Sequence, residues 1–157
     1  MSPHRIADLQ LRGSTSLLPV RVYWPGRAAS QPVPLLVLCM AGAGAGAEEP
    51  CRKLSEDHGL LVLAVRCAAG AHDGMTVLEW AAEHAAELGA DPGRLLVAGI
   101  GAGGADAAAV ESQARAAAWP AVALAAGPDL SEAVRRILAR AMSKSAGQDR
   151  LSSEQVT

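Results

Sequence analysis

Four short apolar runs, Leu35 to Met40, Leu60 to Val65, Leu95 to Ala98 and Ala121 to Ala126, are bounded by glycine, proline or arginine and separated by stretches of helical period. None of the runs has a polar face, so a strand built from one must be covered on both sides. Strands of that kind alternating with helices require crossover connections, which place the strands parallel in one sheet with helices above and below it. An all-helical bundle and a solvated antiparallel sheet are excluded at once.

The segments between the runs fill in the order. Ile6 to Arg12 alternates loosely and stops at Gly13-Ser14, while Pro19 to Trp24 alternates cleanly and stops at Pro25-Gly26, as in an antiparallel hairpin. Ala28 to Pro34 is a connector. Glu48 to His58 has a helical period and Gly59 supplies its stop. Thr76 and Glu79 have the spacing of a capping box, and Leu78, Ala81, Ala82, Ala85 and Leu88 then share a face up to Gly89. Asp91-Pro92-Gly93 reads as a turn, Gly99 to Gly104 as a tight turn, and Ala105 to Ala117 as a helix of high intrinsic propensity. Ser131 is placed to cap a last helix with the stripe Val134, Ile137, Leu138, Ala141 and Met142, and Ser143 to Thr157 turns polar and is expected to fray. The expected fold is α/β: a three-layer sandwich with a mostly parallel sheet of about six strands and an antiparallel N-terminal hairpin. Residues 1–142 form one domain and 143–157 a tail, in keeping with a length of 157 residues.

Charge and cysteine content narrow the function classes. Fourteen Lys and Arg against 16 Asp and Glu give a net charge of -2 without a basic run, which removes the electrostatic basis for nucleic-acid binding. No stretch supplies about 20 consecutive apolar residues and no secretory leader is visible, so a cytoplasmic protein with no membrane partner is expected. Cys39, Cys51 and Cys67 are odd in number and lack C-x-x-C spacing, which predicts buried reduced thiols and neither a disulfide framework nor a metal site. With aromatic residues at 3% and no Phe, the core must be built from Ala, Val and Leu, and self-association would add burial.

In open sheets of this kind ligands bind at the carboxyl ends of the strands. Those ends lead into residues 41–48, 66–74, 99–104 and 127–129. The stretch Trp80-Ala-Ala-Glu-His-Ala-Ala-Glu-Leu-Gly-Ala-Asp-Pro-Gly-Arg-Leu-Leu-Val-Ala-Gly99 resembles the helix, Asp-Pro turn and strand that lead to the nucleophile elbow of hormone-sensitive-lipase-like esterases, a family of α/β hydrolases. Pro19 to Pro25 is similar to that family's second strand, and the resemblance runs over roughly residues 6–130. It implies a truncated α/β-hydrolase fold.

The family's elbow reads G-D-S-A-G-G, with the serine on a strained turn that exposes its hydroxyl. The corresponding slot here reads Gly99-Ile100-Gly101-Ala102-Gly103-Gly104, so Gly101 replaces the nucleophile and no acyl-enzyme can form there. The H-G-G-G oxyanion motif falls near Ala41-Gly42-Ala43-Gly44 without its histidine. The resemblance places the acid and histidine beyond the sixth strand, so all three triad positions are expected to be missing. Losing the serine or histidine of such a triad costs on the order of 10⁶ in turnover. The chain is therefore not expected to be a serine hydrolase by itself. Backbone N–H groups at Gly42, Ala43, Gly44, Gly101 and Ala102 remain as candidates to hold a carbonyl or carboxylate.

The reading is a catalytically degenerate hydrolase-like protein that binds a small acyl or carboxylate compound or serves in assembly, needing no cofactor. Its rival is a non-hydrolytic isomerase, cyclase or dehydratase in which His72 and Asp73, read as a loop pair at the ligand end, work with those N–H groups. A weaker alternative is NAD(P) binding, because Gly99-x-Gly101-x-x-Gly104 and Gly42-x-Gly44-x-x-Ala47 satisfy the dinucleotide pattern. His84 beside Trp80 is expected to pack at the surface, His58 to serve a helix end, and Asp106 and Glu111 to meet solvent or a helix dipole. The run 121–126 would form a short apolar edge with little charge to protect it, and a homodimer is expected.

Overall fold

The apolar runs bury both faces, and they do so by strict alternation. In β3 (Val33–Met40), Leu35, Val37 and Cys39 enter one core while Leu36 and Leu38 enter the other. Leu61, Leu63 and Val65 of β4 (Leu61–Arg66) join the first core, and Val62 and Ala64 join the second. This period of two within a continuous apolar stretch is the signature of a strand with a helix layer on each side. The computed structural model describes residues 6–12, 17–25, 31–40, 48–67, 70–100, 103–119, 122–125 and 129–139.

The sheet has the order β1-β2-β4-β3-β5-β6. β1 (Ile6–Arg12) and β2 (Leu17–Tyr23) form the antiparallel hairpin, with Ile6 opposite Tyr23 and Arg12 opposite Leu17. β2 is antiparallel to β4, and β4, β3, β5 (Ala90–Ile100) and β6 (Val122–Ala125) are mutually parallel. Asp8 and Arg21 face each other in the hairpin register, and Arg21 Nε donates to Asp8 Oδ1 at 2.8 Å. That contact holds the Asp8 carboxyl below its ordinary pKa.

Among the described residues, two helices cover each face. α2 (Ala71–Leu88) and α3 (Gly103–Ala116) bury Val77, Leu78, Ala81, Ala85, Ala107, Val110 and Ala114 against the first core. α1 (Glu48–His58) and α4 (130–139) bury Cys51, Leu54 and Val134 against the second, with Ile137 and Leu138 packed beside them. The three-layer α/β sandwich with six strands and an N-terminal hairpin is thus present. α1 ends at the expected residue, with Gly59 at φ 64 and Leu60 N–H donating to Ser55 O at 3.2 Å. The buried Ser55 hydroxyl returns the tie by donating to Leu60 O at 2.7 Å.

Three local expectations are corrected. α2 begins at Ala71, five residues before Thr76, so Thr76 is no cap; inside the helix its hydroxyl donates to His72 O at 3.0 Å. Asp91-Pro92-Gly93 does not lie outside the strands but within β5, whose register against β3 shifts between Val33 and Leu35. Its turn chemistry survives in place, with Gly93 N–H donating to Asp91 Oδ1 at 2.8 Å. α4 is capped by Asp129, whose Oδ1 accepts from Glu132 N–H at 3.2 Å; Ser131 instead shares a hydrogen bond with His58 Nε2 at 2.9 Å. Ala141, Met142 and the tail 143–157 lie outside the described residues.

Candidate functional site

At the carboxyl ends of the parallel strands, β5 ends at Ile100 and α3 begins at Gly103, so two residues separate strand from helix. Glycine on either side lets the two elements approach closely. A Cβ on Gly99 would overlap the carbonyl of Gly103, and a Cβ on Gly103 would overlap the carbonyl of Cys39. The first turn of α3 thus lies directly on the backbone of β3, a close approach only a residue without a side chain permits. Gly104 meets nothing within 4 Å and plays no such part. The glycines at 99 and 103 are accounted for by contacts within the chain. Residues 101–102 and 41–47, which hold the candidates Gly42, Ala43, Gly44, Gly101 and Ala102, lie outside the described residues.

The start of α2 converges on the same place. Cys67 N–H donates to Met40 O at 3.0 Å, extending the β3–β4 ladder by one bond. Gly70, at φ 69 and ψ -145, then turns the chain into α2, and Asp73 N–H donates to Gly70 O at 3.2 Å. A Cβ on Gly70 would lie 3.6 Å from Asp106 Oδ1 in the first turn of α3. Within α2, position 74 is glycine for a packing reason: a Cβ there would lie 2.7 Å from Val110 Cγ2 and 3.2 Å from Cys39 Sγ.

His72 and Asp73 therefore occupy the first turn of α2, not a loop. They face different surroundings. His72 is exposed, whereas Asp73 is 6% exposed and its charge acts on Cys67. Successive helix residues point about 100° apart, which is why neighbours in sequence do not meet here as side chains.

Beneath these helix starts lie two thiols. Cys39 is fully buried and Cys67 is 8% exposed. A Cβ on Gly74 would be 3.2 Å from one sulfur and 3.8 Å from the other. The Cys39 thiol is pushed strongly up by its hydrogen bond to Cys67 and by burial, so it keeps its proton. Cys67, which accepts that hydrogen bond, is lowered. Cys51 lies on the other face of the sheet, where burial pushes it up to about 12.

The remaining candidates sit as surface chemistry predicts. His84 stacks on Trp80 with ring centroids 4.6 Å apart, and its Nδ1 donates to Trp80 O at 2.8 Å. Glu111 pairs with Arg115 along α3. Among the described residues no group of three or more His, Cys, Asp or Glu side chains is placed to hold a metal ion, and no helix is long and apolar enough to cross a membrane.

Residues 38–155 match a family profile described as alpha/beta hydrolase fold. The chain belongs to the alpha/beta hydrolase fold family. Within this family it is similar to esterase LipI of Mycobacterium tuberculosis, at 32% identity over 71% of this chain and 39% of that protein. It is also similar to carboxylesterase NlhH of the same species, at 35% identity over 66% of this chain and 36% of that protein. Among solved structures, a hyperthermophilic esterase from the archaeon Pyrobaculum calidifontis superposes with a TM-score of 0.67 at 27% identity, covering 75% of this chain and 43% of the other. This alpha/beta hydrolase chain thus spans less than half the length of the relatives it matches. The esterase resemblance read from Trp80 to Gly99 agrees with these relatives. The profile begins inside β3 and so leaves out the hairpin.

Several features of the site had no signal in the sequence alone. The glycine pair 99 and 103 was visible as spacing, but its contact with Cys39 depends on the β3–β5 register. The burial of Asp73 and the approach of Cys39 to Cys67 likewise depend on how α2 seats on the sheet.

Proposed function

We propose that the chain is a hydrolase-fold protein that does not hydrolyse esters by itself and instead binds a small acyl compound at the carboxyl ends of β3 and β5, as a binding or assembly module. One observation carries the reading: Gly99 and Gly103 allow α3 to start in close contact with β5 and β3, as an elbow needs, and the residue between them in sequence, Gly101, has no nucleophile. The candidate contacts are backbone N–H groups at Gly42, Ala43, Gly44, Gly101 and Ala102. Asp73 and Asp106 border the place, and their negative charge favours a neutral acyl carbonyl over a free carboxylate.

Two further statements belong to the same proposal. The protein resides in the cytoplasm, a setting that suits its free, buried cysteines. It forms a homodimer through β6, which ends the sheet among the described residues and presents partly exposed Val122, Ala123 and Leu124 with no charge.

Ligand-induced melting shifts test the binding reading. Short acyl esters are expected to raise Tm in proportion to the logarithm of their concentration. A shift with NADPH alone, or none with any acyl compound, overturns it.

A further inference from the structure

We propose that Cys39 and Cys67 are a redox pair that closes to an intramolecular disulfide when a peroxide reaches the carboxyl edge of the sheet. The inference does not depend on the function proposed above. Cys39 lies in β3 and is paired in register with Val65 of β4, and both point into the same core. Cys67 follows two residues after Val65, in the ladder position fixed by its N–H bond to Met40 O, so its side chain returns to that face beside Cys39. The two sulfurs share the space left by Gly74: a Cβ there would touch both. A larger residue at position 74 would stand between the sulfurs and Val110.

The two thiols are unequal in the way such chemistry needs. Cys67 is the more accessible and accepts the hydrogen bond, so it is the one to ionise and attack. Its thiolate attacks one oxygen of hydrogen peroxide, the O–O bond breaks to give a sulfenic acid, and the departing hydroxide takes up the proton the thiol gave up and leaves as water. The Cys39 sulfur then attacks that sulfur, the S–O bond breaks, and a second water leaves with the Cys39 proton. The pair loses two electrons and two protons in all, and peroxide is reduced to two waters. Cys67 stands at the end of β4 with the ladder on one side only, where a small backbone shift to reach bonding geometry disturbs few hydrogen bonds. Cys51, fully buried on the opposite face, has no such neighbour among the cysteines and serves as the internal control.

The experiment treats the full chain with hydrogen peroxide, alkylates it under denaturing conditions and reads the intact mass. Cleavage after Glu48 separates Cys39 from Cys51 and cleavage after Glu56 separates Cys51 from Cys67, so a linked peptide identifies the partners. The expected result is a loss of two hydrogens, a Cys39–Cys67 linked peptide, Cys51 still alkylated, and full reversal by dithiothreitol. Cys51→Ser is expected to behave identically, and Cys39→Ser to stop at one added oxygen on Cys67. The proposal is overturned if wild-type Cys67 is oxidised to the sulfinic acid while Cys39 stays alkylatable, if the link involves Cys51 or a second chain, or if all three thiols remain free. The wild-type measurement decides even where a variant fails to fold.

Discussion

A side chain on Gly103 would overlap the backbone carbonyl of Cys39, so the first turn of α3 and the end of β3 are in direct backbone contact. Gly103→Ala must push helix and strand apart, and the cost of such overpacking is about 1–3 kcal/mol. Gly104, the next residue, meets nothing within 4 Å, and Gly104→Ala is expected to stabilise by about 0.5–1 kcal/mol through helix propensity. Urea denaturation of the two variants measures the contrast. Equal effects would mean that the close approach is absent.

The Asp129 cap makes a second distinction. Asp129→Ala removes the acceptor for Glu132 N–H and should cost about 0.5–2 kcal/mol. Ser131→Ala removes only a contact with His58 at the surface and should cost less. The reverse order, by thermal or urea unfolding, would restore Ser131 as the cap.

Burial of Cys51 predicts a pH dependence. Its pKa is about 12 folded against an ordinary 9.0, so above pH 9 the unfolded chain gives up a proton that the folded chain keeps. Stability from this group is therefore complete below pH 9 and falls as pH rises towards 12. The slope for one such proton approaches about 1.4 kcal/mol per pH unit. Cys51→Ala should flatten the profile in this window. An unchanged slope would show that the thiol is hydrated in the native protein.

The β6 edge predicts association. Light scattering at tens of micromolar should give a dimer, and Ala123→Lys, which places a charge on the edge strand, should give a monomer. A wild-type monomer rejects the dimer.

These predictions also mark how far the sequence was legible. The four parallel strands could be read because each is an apolar run needing cover on both faces, the hairpin because its two strands alternate, and α1 because its period ends at Gly59. The start of α2 could not be read, because Gly70 and Gly74 carry the local signals of a loop. Gly74 lies inside the helix despite its low propensity, and the closeness of Val110 and Cys39 leaves no room for a side chain there. The Asp91 turn was chemically correct but was absorbed into β5. His72 and Asp73 were legible as titratable neighbours near the right edge, and their separation into exposed and buried positions came only with the helix.

Between Gly99 and Gly103 the chain carries only Ile100, Gly101 and Ala102, none of them a nucleophile. The most direct test incubates the purified full chain with a fluorophosphonate probe and, in parallel, with a p-nitrophenyl ester. No covalent adduct is expected by intact mass, and no ester turnover sensitive to serine traps. Stoichiometric labelling of any residue at the carboxyl ends of β3 and β5, with loss of turnover to match, would contradict that expectation.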